Sequence, residues 1–195
     1  MTMQTSTYIM NRHVFRLSQL RMIVAMTRSG VISVHNKIPW QHSGDLTRFK
    51  ALTWGCPVIM GRKTWDSLGH KPLLNRANII LSRREKLETT AGTIAPRSHM
   101  QTSVSMFYDI ERALGFCGAR HNGTIWIIGG AEIYAAYMHL VSAIDVTYVP
   151  DNINSDTPGA VLFPPIPEAF KEGFEQAHPL NPKLTLAEYR WNRPV

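Results

Sequence analysis

The chain has 195 residues, 44% of them hydrophobic and 18% charged, with a net charge of +7 and a pI near 9.7. This fits one folded domain with room for an extension and argues against global disorder. No stretch approaches the ~18 uninterrupted apolar residues of a spanning helix, which excludes an integral membrane protein.

Residues 1–19 read as a basic N-terminal extension, and residues 20–195 as a single domain. The extension carries Arg12 and Arg16 and no acid; the first acidic residue is Asp45. Its composition fits a transit peptide, an upstream start before Met22, or a retained arm. Arg21 to Thr27 is a buried-strand pattern, and Val31 to Trp40 reads as a loop. Asp45 to Thr53 has a helical period with Ser43 as its N-cap. Pro57 to Met60 reads as a second buried strand, followed by Gly61 and a short helix through Ser67. Asn78 to Ser82 is a third strand, Phe107 to Leu114 a helix, and Thr124 to Ile128 a strand. Gly129-Gly130 then turns into a helix from Ala131 to about Leu140. Ala143 to Val149 and Thr185 to Trp191 alternate like late strands. Alternating strands and helices predict an α/β fold, with a central mostly parallel sheet, helices on its flanks and an antiparallel C-terminal edge.

Three strand ends are suited to anions, since ligands of open α/β sheets sit outside the carboxyl ends of strands. Gly61-Arg62-Lys63-Thr64 places a glycine, two cations and a hydroxyl at one helix start. Gly129-Gly130 lets backbone approach a bulky ligand, although it is not a G-x-G-x-x-G fingerprint. Ser82-Arg83-Arg84 ends the third strand with two arginines. Together they suit an extended, multiply phosphorylated ligand such as a dinucleotide.

Asp45 shares a helical face with Phe49 and Leu52 by spacing. Near a helix start it can simply face water. If buried, it would need a partner, pair with an amidine-like edge, and hold a proton more firmly. The histidines show no metal-ligand spacing, so no metal site is read. Cys56 and Cys117 read as free thiols suited to a reducing cytoplasm.

These elements, in this order, resemble dihydrofolate reductase from about Leu20 to Trp191. The resemblance rests on IVAM at Ile23–Met26, Lys37-Ile38-Pro39-Trp40, Asp45-Leu46 with Phe49-Lys50, and PVIMGRKTW at Pro57–Trp65. It continues through Arg76 with NIILS, IIGGAEIY at Ile127–Tyr134, Thr147, and Asp156-Thr157. It implies NADPH-dependent reduction of 7,8-dihydrofolate to tetrahydrofolate, with hydride delivered to C6 and a proton to N5, in a cytoplasmic monomer. Its partners would be dihydrofolate and antifolates, with no obligate nucleic acid and no membrane.

On this resemblance Asp45 is the acidic group at the pterin, with Thr147 supporting it and Trp40 on the mobile loop. Ile23, Val24, Ala25, Leu46, Phe49, Leu68, Arg76, Ile128 and Tyr134 match substrate positions, Arg76 at the glutamate tail. Ala25, Ile32, Asn36, Gly61, Arg62, Lys63, Thr64, Ser82, Arg83, Gly129, Gly130, Ala131, Glu132 and Ile133 match cofactor positions.

Three departures stand out: Ser33 where the family commonly has glycine, Leu74-Asn75 in place of Pro-Gly, and extra residues between Thr157 and Phe163. Asn75 is expected to keep the turn by accepting a left-handed conformation. The departures leave open an antifolate-insensitive variant. The related reductase of riboflavin biosynthesis should lack the Pro-Trp and Asp helix, and a nucleic-acid binder would show steep salt dependence.

Overall fold

A computed structural model describes residues 7–10, 13–16, 19–83, 102–121 and 123–192. In chain order the first elements are β1 (Thr7–Met10), β2 (His13–Arg16), β3 (Leu20–Met26), β4 (Val31–Val34), α1 (Ser43–Thr53), β5 (Pro57–Gly61), α2 (Arg62–Ser67) and β6 (Ala77–Leu81). They are followed by β7 (Ser103–Phe107), α3 (Ile110–Gly118), β8 (Ile125–Ile127), α4 (Ala131–Tyr137), β9 (Ala143–Tyr148), β10 (Ala160–Leu162), β11 (Phe170–His178) and β12 (Asn181–Trp191).

Eight strands make one sheet in the order β11-β12-β9-β3-β8-β5-β6-β7. From β9 to β7 the pairing is parallel, while β12 pairs antiparallel with β9 and with β11. The expected α/β class, with its antiparallel C-terminal edge, is therefore present. β5 and β6 are buried along their whole length, as strands covered on both faces require.

Side chains alternate between two cores. Met22, Val24, Ile59, Ile79 and Ile127 pack with α3 and α4 on one face. Ile23, Val58, Met60, Ile80 and Trp126 pack with Phe49 of α1 and Trp65 of α2 on the other. Full burial of one such aliphatic side chain is worth about 1.5–3 kcal/mol, so this period-two pattern fixes the strand register.

Several sequence expectations change. β4 lies where a loop was expected, and pairs with β10 in a small separate sheet. The helix expected from Phe107 begins at Ile110, because Asp109 caps it by accepting from Arg112 N at 2.7 Å. Residues 103–107 instead form the half-buried edge strand β7. α1 starts at Ser43 with His42 as its N-cap, so Ser43 does not fill that role. α4 ends at Tyr137, with Leu140 N closing a turn onto Tyr137 O. β11 was not anticipated; seven exposed residues separate its two buried ends, in keeping with a charged edge strand. Within the expected extension, β1 and β2 pair as an antiparallel hairpin; its other residues up to 18, and Arg84, lie outside the described residues.

Candidate active site

Three strand ends meet at one edge of the sheet. β5 passes through Gly61 directly into α2, and β8 passes through Ile128, Gly129 and Gly130 into α4. Gly61 N donates to Gly129 O at 2.7 Å, which joins the two turns. Beside them β6 runs out into buried Ser82 and exposed Arg83.

The glycines here differ in role. A Cβ on Gly61 would fall 2.7 Å from Ile133 Cγ1. Gly129 has φ +105° and a Cβ there would stand 3.0 Å from the Tyr134 ring. A Cβ on Gly130 would meet only Thr64 Oγ1, at 3.6 Å. Gly61 and Gly129 are thus required by packing, whereas Gly130 keeps a space open beside Thr64. The Gly129–Gly130 peptide is cis.

The cations of this edge carry their own counter-charges. Arg62 Nε donates to Asp66 Oδ1 at 2.6 Å, while its buried Nη1 has no partner. Lys63 Nζ donates to Glu132 Oε1 at 3.0 Å, and Arg83 Nη2 lies 3.6 Å from Glu132 Oε2. The hydrogen bond from Lys63 holds the Glu132 carboxyl below its usual range. Lys63 and Arg83, expected as phosphate partners, therefore share one carboxylate that spacing did not reveal. The donor set of Arg62, Lys63, Thr64, Ser82 and Arg83, opened by Gly130, fits a phosphorylated dinucleotide. Ala131 and Ile133 are half-buried on α4, Ile32 is half-buried on β4, and Asn36 is exposed in a turn with φ +60°.

Asp45 lies in the first turn of α1 and is half-buried. Burial pushes its carboxyl pKa up, against the opposing influence of the Thr147 hydroxyl and then of Arg48, His178 and His42. Thr147 Oγ1 is buried and completes no hydrogen bond of normal geometry. The Trp40 indole packs with Val149 and Leu184, its Nε1 likewise buried without a partner. The inward side of α1 includes Gly44, Asp45, Arg48, Phe49 and Thr53, so among these only Phe49 is apolar and the rest are small or polar. Leu52, expected on the same face as Asp45 and Phe49, is among the exposed side chains.

The structure gathers some of the expected substrate residues and separates others. Ile23, Phe49, Leu68 and Ile128 pack in one cluster on the α1 side. Val24 and Tyr134 pack in the core of the opposite face. Leu46 is 63% exposed, and Ala25 packs beside Trp40. Arg76 is only 4% exposed and donates to Thr53 Oγ1, Leu74 O and Lys50 O at 2.8, 2.9 and 3.2 Å. Those three bonds leave two of a guanidinium's five N–H groups for an incoming carboxylate. Asn75 has φ +56°, so the altered turn before Arg76 keeps the left-handed residue expected of it.

Sequence reasoning missed a polar network beneath α1. Arg48 Nη2 donates to Asp145 Oδ1 at 3.0 Å, and Arg21 donates to Asp145 Oδ2 through Nε and Nη2 at 3.0 and 2.7 Å. Arg21 and Arg190 also bind Glu188. The available signal was a lone carboxylate inside the apolar run AIDVTYV, a placement that demands a partner.

Comparison with known proteins bears on this arrangement. The family model described as dihydrofolate reductase matches residues 19–190. Dihydrofolate reductase type 6 of Proteus mirabilis is 31% identical over 165 residues, covering 84% of this chain and 92% of that protein. Dihydrofolate reductase type 3 of Salmonella typhimurium is 32% identical over 138 residues, covering 71% and 76%. The dihydrofolate reductase of Mycobacterium leprae is 37% identical over 130 residues, covering 66% and 70%.

Proposed function

The chain belongs to the dihydrofolate reductase family, and from that premise we propose that it reduces 7,8-dihydrofolate to 5,6,7,8-tetrahydrofolate with NADPH, using Asp45 as its proton-delivering acid. The observation that carries this reading is the half-buried Asp45 facing Thr147, with the glycine turns and their cations at the same edge of the sheet. When bound, NADPH supplies the hydride.

Asp45 pairs with the amidine-like edge of the pterin through two hydrogen bonds, as a planar carboxylate is suited to do. Burial raises the pKa of the same carboxyl, so it binds a proton more firmly than an exposed carboxylic acid does, and we assign it the delivery of that proton toward N5. The Thr147 hydroxyl supports this carboxyl from β9. Ile23, Phe49, Leu68 and Ile128 form the apolar wall that excludes water from the pterin. Arg76 offers its two remaining N–H groups to the glutamate carboxylate.

Arg62, Lys63 and Thr64 serve the cofactor's phosphates, and Ser82 with Arg83 its 2′-phosphate, which is why NADPH is preferred to NADH. Gly130 admits the cofactor where a methyl group would intrude. The same reading makes residues 20–195 one functional unit and the protein a cytoplasmic monomer with dihydrofolate and antifolates as ligands. Among the described residues no helix is long and apolar enough to cross a membrane.

The test is loss of NADPH absorbance with dihydrofolate, run beside NADH and beside Asp45→Asn. Turnover with NADPH that collapses in the variant, most strongly at neutral pH, is expected. A folded wild type that binds NADPH yet leaves dihydrofolate unreduced would overturn the substrate assignment. A trimethoprim titration in the same assay decides antifolate sensitivity.

A further inference from the structure

Every residue of β9 is buried, and its two most polar side chains, Asp145 and Thr147, are two positions apart. They therefore share one face of the strand. Asp145 sits between Ile23 of β3 and Glu188 of β12, while Thr147 sits between Ala25 and Leu186. α1 brings two polar residues to this face, Asp45 and Arg48, three positions apart and so neighbours on the helix surface. Asp45 faces Thr147, and Arg48 Nη2 donates to Asp145 Oδ1 at 3.0 Å. The helix thus meets the strand through two polar pairs in register.

The second pair belongs to a larger cluster. Asp145 and Glu188 are held by Arg21, Arg48 and Arg190, three guanidiniums against two carboxylates, and of the three Arg48 is the one that acts on Asp45. The Asp145 side chain is 7% exposed and that of Arg48 14%, so solvent screens this pair weakly. Arg48 also keeps one buried guanidinium nitrogen without a partner.

Other groups face Asp45 as well. His42 precedes it at the start of α1, where its Nε2 lies 2.5 Å from Asp151 Oδ2. His178, at the end of β11, accepts from Leu180 N through Nδ1 at 3.1 Å. The Tyr134 phenol approaches from α4 and Thr147 from β9. Of these only Arg48 is charged at every working pH.

We propose that Arg48, anchored by Asp145, is a positioning residue for the reduction: it holds the roll of α1 on β9 so that the Asp45 carboxyl stays opposite Thr147, and it is the permanent cation against which that carboxyl gains and loses its proton. This rests on the reading of Asp45 as the proton-delivering acid. Burial raises the Asp45 carboxyl pKa, and a fixed cation opposes that rise.

The two partners predict opposite signs. Arg48→Met removes the cation, so Asp45 holds its proton to higher pH. Asp145→Asn keeps an acceptor oxygen for Arg48 but removes the neutralising charge, so Asp45 releases its proton at lower pH. The experiment follows the pH dependence of single-turnover hydride transfer, together with the titration of 13C-labelled aspartate carboxyls by NMR, using Asp45→Asn to assign the signal.

Arg48→Met should move both the alkaline limb and the titration upward by about one pH unit, the scale of one opposite charge at close range. Arg48→Lys should stay near the wild type, and Asp145→Asn should move downward. An unmoved Arg48→Met titration, or a shift in one direction for both variants, overturns the proposal. If Arg48→Met does not fold, Asp145→Asn decides: a downward shift supports it and none overturns it. Failure of the proposed reaction would appear separately, as a wild type that does not reduce dihydrofolate while the NMR titration still reads the coupling.

Discussion

The Tyr134 hydroxyl donates to the Ile23 carbonyl at 2.8 Å, tying α4 to β3 next to the Gly129–Gly130 turn. The bond crosses between the strand that carries the expected pterin wall and the helix that opens the cofactor edge. Burial pushes the phenol pKa far above its ordinary value, so the hydroxyl remains a donor at every working pH. The Tyr134 ring also limits what can stand at Gly129.

Tyr134→Phe removes this donor and leaves the Ile23 carbonyl without it. The expected cost is about 1 kcal/mol, the net worth of a typical buried hydrogen bond. Urea denaturation measures it, and an unchanged midpoint would count against the bond.

Gly129→Ala and Gly130→Ala should separate stability from binding. The first meets both a positive φ and the Tyr134 ring, and should cost about 2–3 kcal/mol of stability. The second finds room in the fold but fills the space beside Thr64. It should change stability by no more than about 0.5 kcal/mol while weakening NADPH binding about tenfold. Thermal melts and cofactor fluorescence titrations would show whether the two effects part in this way.

Asp45→Asn should stabilise the protein while disabling it. Burial raises the Asp45 carboxyl pKa in the folded state above its unfolded value. Such a group favours folding below the unfolded pKa, and that contribution is lost as pH rises through the folded pKa. The neutral amide escapes the loss. Denaturant midpoints of variant and wild type should converge below the usual carboxylate range and separate, variant above wild type, as pH rises to 8.

Glu188 has the opposite sign. Burial opposes its ionisation, but hydrogen bonds from Arg190 and Arg21 outweigh that effect and hold its carboxyl below the usual range. Its contribution is therefore present above the unfolded pKa and lost as pH falls through the folded one. Glu188→Gln leaves the exposed Arg190 without its carboxylate and Arg21 with Asp145 alone, and should cost about 1–3 kcal/mol at pH 7. The difference should shrink in acid; a deficit that stays constant with pH would mean packing, not charge, is responsible.

What could be read from the sequence divides along physical lines. The buried parallel strands are continuous apolar runs, so β3, β5, β6 and β8 were visible within a residue or two, as were the junctions at Gly61 and Gly130. β4, β7, β10 and β11 lie at sheet edges or in the small separate sheet, and each is either short or of mixed polarity, which alternation alone does not separate from loop. The residues at the two glycine turns were legible because helix starts after strands have a local signature. The pairing of Arg48 with Asp145 was not, since its partners are 97 positions apart and no local rule joins them. For the same reason Glu132, 69 positions from Lys63, could not be seen as its counter-ion.

Glu132 also bears on how a dinucleotide would arrive. An incoming phosphate that engages Lys63 and Arg83 must first displace a carboxylate already seated between them, so association here is an exchange of anions. Two cations that share one resident anion attract from a distance as a single charge. The logarithm of the NADPH association rate should therefore fall gently with ionic strength. Glu132→Gln should make that fall steeper while speeding the encounter at low salt, which stopped-flow mixing across a salt series would measure.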